Sequence, residues 1–274
     1  MGNLSNFCCL ATYLSSILYQ ILVDCLPLCT LVFYDFETPA RGSRNWSWYK
    51  NSSIWEYFAS YFPLKLVKTS ELPTDRNYIM GCHPHGILSI GAFTHLSTSA
   101  TGFSEKFPGI KSNILTLNGQ FWFPFRREIG IGLGGVECSS KSLKFLLKNP
   151  KGGALAGIVI GGAEELLDAK PGNFDLNILG RLGFCRIALE TGASLVPSFS
   201  FGENDVYDQY TYPRDSRPRK IQRFIKKCFG VCFPLLFGYS WYLPLMPKEE
   251  ADNNCYRNPH QCGTNYSPYK RTNS

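Results

Sequence analysis

The sequence predicts an α/β fold, because short apolar runs alternate with segments of helical length. Residues 139–147 carry apolar and basic side chains at helical spacing, and residues 181–191 predict a second helix that Gly192 closes. We therefore expect a sheet with helices packed against it. Four runs have the length and composition of buried strands: 78–81, 113–117, 154–161 and 194–200.

Composition restricts the class of partner. A chain of 274 residues can hold one domain or two small ones, and this length slightly favours a single core. The formal charge of +7, from 28 Lys and Arg against 21 Asp and Glu, is only a moderate basic excess. A nucleic-acid-binding protein would carry a denser basic stripe, so we expect a membrane surface or an anionic cofactor instead. The eleven cysteines are scattered without a CxxC pair and predict reduced thiols.

An apolar run near the N-terminus predicts attachment to a membrane. Residues 7–34 contain a single charge, Asp24, and a single proline, Pro27. A spanning helix needs about 20 apolar residues. We therefore predict a membrane segment over residues 1–36, as one helix or a re-entrant hairpin, with a buried helical hairpin as the alternative. No Lys or Arg precedes Arg41, and the basic residues that follow predict a cytosolic body.

The rest of the chain divides into three predicted regions. Residues 37–77 are rich in Trp, Tyr and Phe, which suit an interfacial linker in the lipid headgroup layer, although they also suit a protein core. Residues 78–247 carry the strand and helix patterns and form the predicted α/β domain. Residues 248–274 are polar, and we expect them to be disordered.

Two histidines are the strongest chemical signal in the sequence. His83 and His85 follow an apolar run and are separated by Pro84, with Gly86 directly after them. An imidazole suits proton transfer near neutral pH, and the flanking proline and glycine would leave the ring uncovered at a strand end. This pattern predicts a catalytic base at the edge of a sheet. A zinc site is not expected, because no further ligand motif accompanies the histidine pair.

Two other segments carry charges that suit a catalytic site. The apolar run 154–161 breaks at Gly161 and Gly162 into an acidic stretch that contains Glu164 and Glu165. A carboxylate there would hold a catalytic imidazole, or it would simply complement the N-terminus of a helix. In another segment, Arg126 and Arg127 would bind the phosphates of an anionic cofactor, or they would form a solvated basic face.

Six motifs in order resemble the monoacylglycerol and type-two diacylglycerol acyltransferase family, most closely its monoacylglycerol branch. They are YFP at 61–63, HPHG at 83–86, RREIGIGLGGVE at 126–137, GGAEELLDAKPG at 161–172, RLGF at 181–184 and LVPSFSFGENDVYDQ at 195–209. The resemblance implies a glycerolipid-acyltransferase-like mixed sheet flanked by helices. It also implies an endoplasmic reticulum membrane enzyme whose catalytic domain, residues 78–247, faces the cytosol.

The resemblance also implies roles for individual residues. His85 becomes the general base, His83 a second catalytic residue of the same motif, and Glu165 the carboxylate that orients His85. Arg126, Arg127, Gly161, Gly162 and Arg181 become the binding residues for acyl-CoA, which serves as co-substrate, so neither a further cofactor nor a metal is expected. Leu182 replaces the basic residue that the family carries in its RKGF motif, which weakens a phosphate-binding role for that turn.

The implied reaction esterifies an acylglycerol with the acyl group of acyl-CoA, converting 2-monoacylglycerol to diacylglycerol and diacylglycerol to triacylglycerol. The implied partners are acyl-CoA, the mono- or diacylglycerol, membrane lipids and other copies of the chain in a homo-oligomer, but no nucleic acid. Two alternatives stay open. The chain would be a wax-ester synthase acting on long-chain alcohols, or a catalytically impaired lipid-binding member, since its sequence departs from the family pattern after Leu235.

Overall fold

The computed structural model describes residues 30–229 together with Leu26, Cys232 and residues 234–237. Most of the predicted membrane segment, 1–36, and the whole predicted tail, 248–274, lie outside the described residues. Within the part of the chain that is described, no helix is both long enough and apolar enough to cross a bilayer.

The core of the fold is a sheet of five parallel strands. In chain order the strands are β1 (Tyr78–His83), β2 (Lys111–Thr116), β3 (Gly135–Glu137), β4 (Ala154–Val159) and β5 (Ser194–Phe199). Their order across the sheet is β3-β2-β4-β1-β5. The predicted α/β class and all four predicted strands are confirmed, while the short β3 was not predicted.

The expectation of a mixed sheet is wrong for the described residues. All four neighbouring pairs in the five-stranded sheet are parallel. Each of the four connections between its strands carries the chain back to the edge where the preceding strand began, so the strands run parallel. The antiparallel pairing is confined to a separate ribbon formed by β6 (Asp208–Tyr210) and β7 (Leu235–Phe237).

Helices cover both faces of the sheet. The predicted helix at 139–147 is confirmed, and the side-chain oxygen of Ser139 caps it by accepting the Ser142 amide at 3.1 Å. The predicted helix at 181–191 is confirmed from residue 183, and Gly192 ends it with φ +72°. The helices are α1 (Ser47–Lys50), α2 (Ser53–Tyr61), α3 (Ile90–Ser97), α4 (Phe103–Lys106), α5 (Pro124–Gly132), α6 (Ser140–Leu147), α7 (Gly162–Asp168), α8 (Gly183–Thr191) and α9 (Arg217–Phe229).

Strand β1 lies in the middle of the core, and all six of its residues are buried. Tyr78, Met80 and Cys82 pack on one face with Ala92 and Leu96 of α3. Residues of α6 and α8 cover the other face around Ile79, namely Leu143, Leu147, Ile187 and Ala188. Burial on both faces is typical of a strand in a parallel sheet, and it fixes the end of β1 firmly.

A third apolar cluster supports the chain that follows β1. Ile87 and Ile90 pack against Ala169, Val206 and Tyr207. The segment after β1 is therefore held against the C-terminal end of α7 and the loop that precedes β6. Partly buried side chains from α2 and its surroundings close this cluster: Phe58, Phe62 and Leu64.

The aromatic residues of segment 37–77 divide between packing and exposure. The ring of Trp55 meets Phe93 of α3 edge-on at 5.6 Å between centroids, so part of this segment belongs to the core. Other rings face outward: Trp48 is 71% exposed and Tyr57 is 76% exposed. The segment therefore combines a packed side with an exposed aromatic side, and its interfacial role stays a prediction.

Candidate functional site

The site lies at the edge of the sheet where β1 and β4 end. These strands are neighbours, and their register pairs Cys82 with Val159. Since parallel strands point the same way, the chain after each strand emerges at one edge, which is where open α/β sheets bind ligands. The histidine pair and the Gly161–Gly162 turn are therefore brought together, as the sequence predicted for a site at a sheet edge.

The ring of His85 is partly buried and is oriented by its own loop. Its Nδ1 lies 3.0 Å from the carbonyl oxygen of Gly86. A carbonyl oxygen can only accept a hydrogen bond, so this contact assigns the ring proton to Nδ1 and leaves the lone pair of Nε2 free. This is the tautomer that a general base requires.

The surroundings of His85 favour the neutral ring. Burial, which disfavours a charged imidazolium, lowers its pKa below the ordinary 6.5, and the positive charge of Lys226 acts in the same direction. Backbone hydrogen bonds of Gly86 and His85 raise the pKa and oppose this shift in part. Because the ring is neutral at physiological pH, it is ready to accept a proton.

His83 is the last residue of β1 and is only 8% exposed. Its Nδ1 is buried and has no hydrogen-bond partner within the described part of the chain. Burial lowers the pKa of His83 as well. The ring shares a face of the sheet with Gly81, since a Cβ on that glycine would lie 3.5 Å from Nε2 of His83.

Glu165 is brought to the same site from the first turn of α7, and it is 3% exposed. Burial raises its pKa above the ordinary 4.5, while the backbone amides of Asn177 and His85 and the charge of Arg181 lower it in part. Both carboxylate oxygens lack a hydrogen bond of accepted geometry to any described residue. The structure therefore holds a carboxylate, largely unpaired, beside the backbone of His85.

The predicted hydrogen bond from the His85 ring to the carboxylate of Glu165 does not occur between the described residues. The ring nitrogen Nδ1 faces Gly86 instead, and the group of His85 that approaches Glu165 is its main-chain amide. The reason is the tight turn after β1, which turns the ring toward its own loop.

Gly161 and Gly162 allow Glu165 to reach the site. A Cβ on Gly161 would lie 1.3 Å from Oε2 of Glu165, so only glycine leaves room for the carboxylate. Gly162 has φ +60°, a conformation that glycine adopts without strain. Arg181 lies beside this turn, with Nη2 3.5 Å from the carbonyl oxygen of Gly161. The predicted co-substrate role of these three residues stays a prediction.

Arg126 and Arg127 lie far from the histidines, on α5 near strand β3. Two strands, β2 and β4, separate β3 from β1, which corresponds to about 14 Å at the usual strand spacing. Arg127 is 1% exposed and is paired with Glu128 and with Asp35. Its guanidinium is therefore engaged within the fold, whereas Arg126 is exposed and available to a ligand.

Sequence reasoning did not identify Ser89. Its hydroxyl donates to the carbonyl oxygen of His85 at 2.8 Å and lies 3.4 Å from Nδ1 of the same residue. Ser89 therefore holds the backbone of His85, and its hydroxyl oxygen lies beside the ring. The signal for it was its position four residues after His85, where a serine hydroxyl can return to the carbonyl of residue i−4.

Comparison with known proteins decides the family. The model of a family described as diacylglycerol acyltransferase matches residues 13–268. The chain belongs to the diacylglycerol acyltransferase family. It is 42% identical to 2-acylglycerol O-acyltransferase 1 of Homo sapiens over 232 residues, which cover 83% of this chain and 69% of that protein. It is 44% identical to diacylglycerol O-acyltransferase 2 of Dictyostelium discoideum over 225 residues, 81% and 68% of the two chains.

A third relative differs in the acceptor that its name gives. Acyl-CoA wax alcohol acyltransferase 1 of Homo sapiens is 40% identical over 227 residues, which cover 81% of this chain and 69% of that protein. No solved structure matches the chain. Membership of the diacylglycerol acyltransferase family confirms the resemblance on which the sequence interpretation rested, and it identifies the chain as an acyltransferase.

Replacing His85 with Ala should lower acyl transfer by about 10²- to 10⁴-fold, because the reaction loses its general base. In the unchanged protein, kcat/KM should fall as pH drops, with a midpoint below 6.5, since imidazolium cannot accept a proton and burial lowers the pKa of His85. The measurement is initial rate against pH in microsomes. His260→Ala, which removes a histidine of segment 248–274, is the control. Full activity of His85→Ala would disprove the role of His85 as base.

Glu165→Gln should lower kcat about tenfold or more, because the change removes the negative charge held beside the His85 backbone. Glu164→Gln should instead lower the melting temperature by ~2–4 °C with kcat per folded molecule retained. Glu164 receives hydrogen bonds from Arg219 and Arg223 of α9 at 3.0–3.2 Å, so its charge supports packing. Equal losses of kcat in the two variants would contradict this separation of roles.

Proposed function

We propose that the protein transfers an acyl group from acyl-CoA to the free hydroxyl of 2-monoacylglycerol, producing diacylglycerol. Acylation of diacylglycerol to triacylglycerol is the second reaction that we assign to the same site. The observation that carries the proposal is the neutral His85, with Nε2 available, at the sheet edge shared with Glu165. The names of the relatives supply the substrate classes: 2-acylglycerol in one and diacylglycerol in another.

In this mechanism Nε2 of His85 takes the proton of the acceptor hydroxyl while its oxygen attacks the thioester carbonyl carbon. The carbonyl π electrons move to oxygen and form a tetrahedral intermediate. As the intermediate collapses, the carbon–sulfur bond breaks and the sulfur leaves with the electron pair. The imidazolium returns its proton to that sulfur, so free CoA and the ester are released and His85 is neutral again.

The intermediate places negative charge on the former carbonyl oxygen, and that charge needs nearby donors. We assign this role to the main-chain amide of Gly162 in the Gly161–Gly162 turn, since the space beside Gly161 is occupied by the carboxylate of Glu165. Arg181 lies beside the same turn and offers a guanidinium to the negative charge of acyl-CoA. Arg126 and Arg127 are not part of this assignment, since Arg127 is paired within the fold and Arg126 lies on α5 near strand β3, which two strands separate from β1.

We also propose that the protein is attached to the endoplasmic reticulum membrane and that its catalytic domain faces the cytosol. The apolar run 7–34 supports this, and so does the exposure of aromatic residues at its end, with Phe33 in the run 86% exposed and Phe36 just after it 70% exposed. Asp35, directly after the run, is hydrogen-bonded by Arg127 of α5. The aromatic residues Trp122, Phe123 and Phe125 at the start of α5 are 63–73% exposed and lie near that attachment point.

Attachment to a membrane also suits the chemistry. A base that activates an alcohol would activate water as well, and water would hydrolyse the acyl donor. Lipid substrates reach an active site at a membrane surface without crossing the aqueous phase. Membrane lipids are therefore the partners that we assign to the exposed aromatic residues, with Trp and Tyr at the headgroup level.

The second candidate function is wax-ester synthesis on long-chain alcohols. The similarity to acyl-CoA wax alcohol acyltransferase 1 favours it, and the chemistry at His85 would be the same. The two functions differ only in the acceptor that the site admits. A substrate comparison therefore separates them.

Microsomes that contain the full chain should convert labelled oleoyl-CoA and 2-monoacylglycerol to diacylglycerol at a rate that exceeds the rates with diacylglycerol or hexadecanol. Thin-layer separation of the labelled products measures all three reactions in parallel. Microsomes without the chain provide the background. A dominant wax ester would establish the second candidate, and no product from well-expressed, membrane-bound protein would refute the proposed activity and favour the impaired lipid-binding member.

Removal of residues 1–29 should release at least part of the protein from microsomes after a carbonate wash, because most of the apolar run is lost. This deletion keeps Asp35, whose carboxylate pairs with Arg44 and Arg127, so the packing of α5 is retained. Fractionation by sedimentation measures the release. Adding Phe123→Ser and Phe125→Ser should increase it, with Phe145→Ser, another exposed aromatic, as control. Complete retention of both forms in the membrane pellet would contradict the predicted attachment.

A further inference from the structure

Glu203 is a buried carboxylate that the mechanism above does not use. It lies in the loop after β5 and is 3% exposed. Its Oε1 accepts the backbone amide of Ile90 at 2.7 Å, and its Oε2 accepts the backbone amide of Gly91 at 2.8 Å. These amides belong to the first two residues of α3, so Glu203 satisfies the donors that a helix leaves unpaired at its N-terminus.

The residue that would ordinarily cap α3 is otherwise engaged. Ser89 occupies the N-cap position but has φ 54° and ψ 45°, and its side chain makes no capping hydrogen bond. Its hydroxyl donates to the carbonyl oxygen of His85 instead. Glu203, 113 residues after Ile90 in the chain, supplies the cap in its place. This exchange frees Ser89 to hold His85.

Glu203 also packs directly against the histidine loop. Gly86 has φ +58°, and a Cβ there would lie 2.6 Å from Cγ and 2.9 Å from Oε1 of Glu203. A Cβ on Gly91 would lie 3.0 Å from Oε2. The carboxylate therefore fills the space between the residue after His85 and the start of α3, and no side chain larger than hydrogen fits at Gly86.

The loop that carries Glu203 is itself fixed to the end of β1. The backbone amide of Ser200 donates to the carbonyl oxygen of His83 at 2.7 Å, which continues the pairing of β5 with β1. The histidine loop is thus held at three points: at His83 by Ser200, at Gly86 by contact with Glu203, and at the start of α3 by two hydrogen bonds.

Burying the carboxylate of Glu203 costs free energy, which argues that stabilising the fold is not its only role. Burial raises its pKa to about 7, and the amides of Gly91 and Ile90 oppose that shift only in part. Burying a carboxylate costs free energy that an ordinary serine or threonine cap, with its neutral hydroxyl, would not cost. A local cap would, however, take Ser89 away from His85.

We propose that Glu203 is a positioning residue of the acyl-transfer reaction, which fixes the turn 86–89 through the N-terminus of α3 and thereby aims the imidazole of His85. The inference rests on the proposed function, in which His85 is the base. Glu203 acts through His85 and touches no reacting atom itself.

Glu203→Gln is the decisive variant, because an amide has the same shape but only one acceptor oxygen for two backbone donors. Its NH₂ group would face one of the two amides and push it away. We expect kcat to fall ~10- to 100-fold, since small displacements of a catalytic group have effects of that size. KM for acyl-CoA and for the acceptor should stay within about threefold, because the variant leaves the binding residues in place. Glu105→Gln, an exposed carboxylate in α4, is the matched control.

Two further variants separate positioning from folding. Glu203→Asp keeps the charge but is too short to reach both amides, so it should also lower kcat. Ser89→Ala as a single variant should also lower kcat. In the double variant with Glu203→Gln, the fold-loss of kcat should be smaller than the product of the two single fold-losses, since both residues act on one turn. Two outcomes for Glu203→Gln would overturn the proposal. One is an unchanged kcat, and the other is a loss of activity that is fully explained by a smaller fraction of folded protein.

Carbethoxylation by diethyl pyrocarbonate provides a readout that does not depend on activity. Peptide mass spectrometry of the membrane-bound full chain measures the modification rates of His85 and of His95, which lies on α3. In Glu203→Gln the rate at His85 should change at least threefold while the rate at His95 stays the same. If the modification rate at His85 changes in this way but the unchanged protein shows no acyl transfer, the proposed function is refuted, whereas the positioning of His85 by Glu203 is not. Equal rates at His85 in the two forms would refute the positioning.

Discussion

The parallel pairing of β1 with β4 is the constraint on which the site depends. Its register sets Cys82 beside Val159, so the histidine loop and the Gly161–Gly162 turn leave the sheet at the same edge. Pairing of β1 with β5 adds the loop of Glu203 at that edge. Three segments separated by about 80 and 40 residues in the chain therefore meet around His85. Burial of β1 on both faces keeps this edge rigid, because its side chains contact helices on either side.

Two buried carboxylates, Glu165 and Glu203, lie beside the histidine loop, and each is accommodated in a different way. Glu165 is held over Gly161 with little hydrogen bonding, and burial raises its pKa. Glu203 is compensated by two amides of α3. Glu164, one residue from Glu165, faces the opposite way and pairs with Arg219, which is fully buried. Adjacent glutamates thus have distinct physical roles: one supports the packing of α9, and the other supplies charge at the site.

Much of the fold followed from local patterns. The apolar runs gave the strands because a strand in a parallel sheet is buried on both sides and needs a continuous apolar stretch. The helix at 139–147 followed from the spacing of its apolar residues, and the helix end at Gly192 followed from capping chemistry. Strand β3 escaped prediction because three residues carry no periodicity, and α3 escaped it because its cap, Glu203, is distant in sequence. The candidate site was predicted from motifs, yet the contact between Glu165 and the His85 backbone was not, since it depends on how the two turns fold.

The sequence by itself determined which groups are present and which strand end carries them: two histidines separated by a proline and followed by a glycine, and a glutamate pair shortly after two glycines. It also determined the family, because the order of its motifs is specific. Only the tertiary structure decided that the Glu165 carboxylate makes no hydrogen bond to the His85 ring, that Arg127 is paired within the fold, and that Glu203 caps α3 so that Ser89 can hold His85. The physical reason is that hydrogen bonding and burial depend on neighbours brought together by strand pairing, and those neighbours are remote along the chain.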